Sequence, residues 1–174
     1  MKNLVFILIA FLLLSCGNRS GRKGEQDTKS KPVTFVVDEI EKLAGGFSFT
    51  EGPATDPEGN VYFTDIPNNM ILIWTTDNRL DTFRINSGAA NGLYFDKDGN
   101  LLACEGGKGR ISTTGPGGDY SIIADEFNGR RFNAPNDIWP DGKKGIYFTD
   151  PKYGEDQDNL PQDGMHVYYI EPDR

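Results

Sequence analysis

From residue 34 onward the chain alternates short apolar runs with turn residues, and no stretch of ten or more residues keeps a helical period. Thr34–Asp38 is a β-branched run. Phe47–Thr55 leads through Asp56-Pro57-Glu58-Gly59 into Val61–Asp65, and Pro67-Asn68-Asn69 predicts a tight turn because asparagine tolerates positive φ. Met70–Thr75 and Leu80–Ile85 complete a predicted four-stranded meander. A second unit follows as Gly92–Phe95, Leu101–Cys104, Arg110–Thr114 and Tyr120–Ala124, with turns at Asp98-Gly99 and Gly115–Gly118. A third starts near Asn133 and continues through Ile146–Thr149 to Val167–Ile170. The expectation is an all-β fold.

These units share one spacing. EGPATDPEGNVYFTD (51–65), NGLYFDKDGNLLACE (91–105) and NDIWPDGKKGIYFTD (136–150) align without a gap. In each, a leading Glu51, Asn91 or Asn136 stands five residues before Asp56, Asp96 or Asp141. Those stand nine residues before Asp65, Glu105 or Asp150. Repeat intervals of 40 and 45 residues are in the range of β-propeller blades. In that fold, equivalent residues of successive blades lie on a ring about one axis, so Glu51, Asn91 and Asn136 are expected to converge. Asp65, Glu105 and Asp150 end strands and are expected to hold neighbouring backbone. Residues 33–174 make about three blades, whereas closed propellers use about four to eight. The expectation is therefore the N-terminal half of a longer protein, the alternative being a half-propeller that dimerises.

The first 16 residues read differently. Lys2 precedes an unbroken apolar stretch, Leu4 to Leu14, which is shorter than the roughly 20 residues that cross a bilayer and has the proportions of a secretory signal. Leu13-Leu14-Ser15-Cys16 resembles a bacterial lipobox. It predicts a signal peptide over 1–15, lipidation of Cys16, and a flexible tether over 16–32. The membrane would then be met only through the lipid anchor, in the bacterial cell envelope. With Cys16 acylated, Cys104 has no disulfide partner and reads as a buried structural thiol.

Charge and residue inventory narrow the chemistry. A net charge of −8 argues against nucleic-acid binding, which runs on a positive field. His166 is the sole histidine and lies in a strand-like run, so a Ser-His-Asp triad has no base. There is no G-x-S-x-G elbow and no zinc ligand set. Gly106-Gly107-Lys108-Gly109 joins two strands and precedes no helix, so it reads as a hairpin rather than a phosphate cradle. What remains is oxygen chemistry: a carboxylate at Glu51 and amides at Asn91 and Asn136 suit a hard divalent cation, calcium above all.

FTEGPATDPEGNVYFTDIPNN, ANGLYFDKDGNLLACEGG and RRFNAPNDIWPDGKKGIYFTDPKYG resemble the gluconolactonase branch of the regucalcin-like (senescence marker protein) family, over residues 47 to about 170. The resemblance implies a six-bladed propeller with one divalent metal, usually calcium, at its axis, and hydrolysis of a small-molecule lactone. It implies that Glu51 binds metal, that Asn136 lines the metal and substrate site, and that Asn91 faces the same cavity. Arg131 is similar to a substrate-contacting arginine of one branch. Glu105 is followed by Gly106 where relatives often carry histidine. The family's later asparagine and aspartate, the aspartate being the expected acid/base, would fall beyond Arg174, so the 174 residues alone are expected to be inactive. Two other classes stay open at this point: a propeller that binds a ligand or partner without catalysis, and an esterase or lactonase acting on non-sugar substrates such as organophosphates.

Overall fold

A computed structural model describes residues 39–154 and 158–172. The expected signal, the lipidated Cys16, the tether and the Thr34–Asp38 run lie outside the described residues. Among the described residues every regular element is a strand.

Three antiparallel sheets follow one another along the chain. The first runs β1 (Thr50–Thr55), β2 (Val61–Asp65), β3 (Met70–Trp74) and β4 (Leu80–Ile85) in spatial order. The second repeats it with β5 (Ala90–Phe95), β6 (Leu101–Glu105), β7 (Arg110–Thr114) and β8 (Tyr120–Ala124). A two-stranded ribbon, β9 (Glu126–Phe127) and β10 (Arg130–Arg131), then precedes the third sheet. That sheet comprises β11 (Ile138–Pro140), β12 (Ile146–Asp150) and β13 (His166–Ile170). The ribbon is not foreshadowed by the apolar pattern, because strands of two residues have no period. The first strand starts at Thr50 rather than Phe47. Asn69, at the end of the predicted turn, has φ 55°, as that turn requires.

Period-two alternation explains the core. All of β6 is buried, and its side chains point alternately to the two neighbouring sheets. Leu101 and Ala103 pack with Ile71, Ala90 and Leu93 toward the first sheet. Leu102 and Cys104 pack with Ile111, Phe132, Ile138, Ile146 and Phe148 toward the third. Each buried Leu or Ile stabilises by roughly 1.5–3 kcal/mol, so β6 contributes to the packing on both sides while β5 makes the direct strand contacts with both neighbouring sheets. Cys104 is wholly buried, and burial pushes its thiol well above the usual range. It is the structural thiol expected.

The three aspartates at the middle of the repeats close the hairpins. Asp56 accepts from the Asn60 N–H at 2.8 Å, and Asp96 from the N–H groups of Asp98 and Asn100 at 2.9 Å. Asp141 accepts from Lys143 N–H at 2.6 Å and Gly145 N–H at 2.8 Å. The strand-ending acids anchor the approach to each inner strand. Asp65 accepts from the N–H groups of Ser48 and Phe49, and Asp150 from those of Asn133 and Ala134. Glu105 differs from the expectation. Its longer side chain accepts from Arg110 at 2.7 Å, Arg84 at 3.2 Å, Ser112 at 2.7 Å and the Tyr120 hydroxyl at 3.0 Å. It therefore ties β4 of the first sheet to its own sheet through side chains rather than backbone.

Candidate metal and substrate site

The innermost strands β1 and β5 lie side by side, and β11 packs next to β5. Each of the first two strands is interrupted at its functional residue. Glu51 opposes Thr64 and Ala54 opposes Tyr62, so β1 carries one extra residue between them. Ala90 opposes Glu105 and Leu93 opposes Ala103, which puts the same bulge in β5 around Asn91. A bulge re-aims the side chain at its position, and both occur where the repeat places its leading residue.

Glycine lets these irregular segments approach. Gly52 has φ +55°, and a Cβ there would run into the carbonyl of Asn91. A Cβ on Gly92 would stand 2.5 Å from the carbonyl oxygen of Asn136 and 2.8 Å from the α-carbon of Asp137. In place of those atoms, Gly92 N–H donates to the Asn136 carbonyl at 2.6 Å. The Thr64 hydroxyl, on β2, sits 3.1 Å from the Glu51 carbonyl and 3.2 Å from that of Asn91, bridging two inner strands. Thr149 takes the equivalent position in the third sheet, its hydroxyl accepting from Asp137 N–H at 3.1 Å.

Glu51, Asn91 and Asn136 all line one open hollow of about 440 Å3. Glu51 is exposed, while the two asparagines are half-buried. Asp137, which the sequence reading did not single out, lines the same hollow and adds a second carboxylate. One Asp137 oxygen accepts the N–H of Ile138 at 2.9 Å. Its signal in the sequence was adjacency: it follows Asn136 where the other repeats have glycine. Trp139, Tyr147 and Val167 form an apolar wall. Among the described residues no three His, Cys, Asp or Glu side chains gather, so oxygen donors here comprise carboxylate plus amide rather than a cluster of acids. That donor set fits a hard divalent cation.

Arg131 lies elsewhere. It lines an adjoining hollow of about 450 Å3 whose wall also includes Asn91 and Asn136. The asparagines therefore stand between the two hollows. His166 lines neither; its ring nitrogen is 2.8 Å from an Asp163 carboxylate oxygen at the surface.

The sequence profile of the family described as SMP-30/Gluconolactonase/LRE-like region matches residues 49–174. The chain belongs to this family. It is 29% identical over 179 residues to the gluconolactonase of Zymomonas mobilis, a match covering 90% of this chain and 50% of that protein. A structural-genomics target assigned as a gluconolactonase superposes with TM-score 0.69 and 33% identity, over 76% of this chain and 49% of that one. A gluconolactonase from Xanthomonas campestris superposes with TM-score 0.67 and 27% identity, over 75% and 46% respectively. The chain thus spans about half the length of these relatives, and its three sheets are about three blades of an all-β, propeller-type fold.

Proposed function

We propose that this chain forms part of a divalent-cation-dependent hydrolase that opens a sugar lactone. The observation that carries the reading is the convergence of Glu51, Asn91 and Asn136, one from each repeat, on a single hollow. Gluconolactonases among the relatives support the reaction class. Glu51 and Asn136 would hold the cation, with calcium favoured by the carboxylate and amide oxygens. When bound, the cation supplies Lewis-acid polarisation of the lactone carbonyl and acidifies a water.

This chain's own residues bind and orient. Side-chain amides of Asn91 and Asn136 offer both donors and acceptors to lactone hydroxyls. The bridge from Thr64 to the Glu51 and Asn91 carbonyls fixes their backbone, so Glu51 needs little reorganisation to hold a charge. Trp139, Tyr147 and Val167 give one side of the hollow an apolar surface for the carbon face of a sugar ring. We place the protein in the cell envelope, tethered through an acylated Cys16.

Hydrolysis of glucono-δ-lactone by the intact protein, followed with and without a chelator, tests the reading. Turnover that chelation abolishes and calcium restores supports it. A protein that binds calcium yet opens no lactone would favour a non-catalytic binding propeller instead.

A further inference from the structure

The two hollows that share Asn91 and Asn136 carry opposite charge. Glu51 and Asp137 line the first. The second is lined by Arg131 and Lys152, and by no Asp or Glu among its described residues, in a chain with 26 acidic residues. The two cations reach it from separate elements, Arg131 from β10 and Lys152 from the segment after β12. Neither forms an ion pair or a side-chain hydrogen bond with a described residue. The Arg131 guanidinium lies close to Gly109 in the β6–β7 turn, where a Cβ would collide with it. The nearest carboxylate along the chain from Lys152, Asp150, is fully buried and committed to the N–H groups of Asn133 and Ala134. Asn133 is likewise committed, its amide donating to the carbonyls of Asp150 and Gly164. Tyr153 adds a largely exposed aromatic ring to the wall.

Arg131 feels the charge of the buried Asp150 carboxylate, but two cations on one concave wall still attract an anionic group, and guanidinium and ammonium both recognise carboxylate or phosphate. Taking the proposed lactonase reading as its basis, we propose that the substrate is an acidic sugar lactone. Its ring would sit against Asn91 and Asn136, and a carboxylate or phosphate substituent would lie between Arg131 and Lys152. The asparagines at the seam would then present the neutral part of the molecule to the carboxylate-lined hollow while the charged substituent points away from it.

The experiment compares three lactones on the intact, calcium-loaded protein at low ionic strength: neutral glucono-δ-lactone, glucaro-1,4-lactone with a free carboxylate, and 6-phosphoglucono-δ-lactone. Binding of glucose, glucuronate and glucose 6-phosphate is titrated in parallel by calorimetry. A charged lactone should be preferred in kcat/KM by about tenfold over the neutral one, the scale of a charge-assisted hydrogen bond at a partly exposed site. The preference should shrink in Lys152→Met and Arg131→Met, persist in Lys152→Arg, and weaken with salt. Which charged lactone leads separates carboxylate from phosphate recognition. Hydrolysis of all three with equal kcat/KM, unchanged in ratio by Lys152→Met, overturns the inference while leaving the lactonase reading intact. If none is hydrolysed, the lactonase reading fails. Tighter binding of glucuronate or glucose 6-phosphate than of glucose would then still support the anion subsite, and equal binding would overturn it.

Discussion

Gly92 donates its N–H to the carbonyl of Asn136 at 2.6 Å, joining two inner strands at the level where the candidate ligands sit. No side chain fits between them, since a Cβ on Gly92 would meet backbone on the other strand. Gly92→Ala should therefore destabilise the protein by about 1–3 kcal/mol, the usual cost of overpacking. It should also weaken calcium binding, by pushing Asn136 away from Glu51. Denaturant unfolding together with a calcium titration checks both effects. Unchanged stability would show that the strands separate freely there.

Asp65 and Asp150 hold the same place in their repeats but titrate in opposite directions. Burial pushes the Asp65 carboxyl up, yet hydrogen bonds from Asn68, Ser48 and Phe49 outweigh it and leave the group below its ordinary value. At Asp150 burial wins over the N–H groups of Asn133 and Ala134, and the carboxyl sits above its ordinary value. The stabilisation from Asp65 is present above the ordinary carboxylate range and is lost as pH falls through its lower folded value. Asp150 binds its proton more readily folded than unfolded, so acidification favours its folded form. Thermal unfolding between about pH 6 and pH 2 should show the wild-type advantage over Asp65→Asn shrinking. Its advantage over Asp150→Asn should grow across the same range. Parallel curves for the two variants would contradict the assignment.

The sheets and the converging residues were legible because the repeat imposes both period and phase. The spacing that aligns Glu51, Asn91 and Asn136 is the spacing that puts them on one hollow, and Asp56, Asp96 and Asp141 close hairpins for the same reason. Tertiary facts were not legible. Arg84 reaches Glu105 from the preceding sheet, across 21 residues, and no local pattern marks such a pair. The bulges in β1 and β5 break the alternation at Gly52 and Gly92, which reads in sequence as a weak strand start. Lys152 follows the last aligned position, and only folding brings it to the hollow that Arg131 lines.

Cys16, outside the described residues, should be acylated and the preceding 15 residues removed, as Leu13-Leu14-Ser15-Cys16 predicts. Intact-mass analysis of detergent-extracted protein should then show diacyl- or triacyl-modified Cys16 at the N-terminus. An unmodified thiol in a freely soluble fraction would remove the anchor and the envelope tether with it.

In the proposed site Glu51 supplies the charged ligand of a divalent cation. Calcium titration of Glu51→Gln, confirmed as folded by its unfolding midpoint, tests this most directly. The substitution keeps the side-chain length and one carbonyl oxygen while removing the negative charge, and calcium affinity depends on the charge count of its ligands. The affinity should fall at least about tenfold, with the unfolding midpoint in the absence of metal nearly unchanged because Glu51 is exposed. Wild-type calcium affinity in the folded variant would contradict the account.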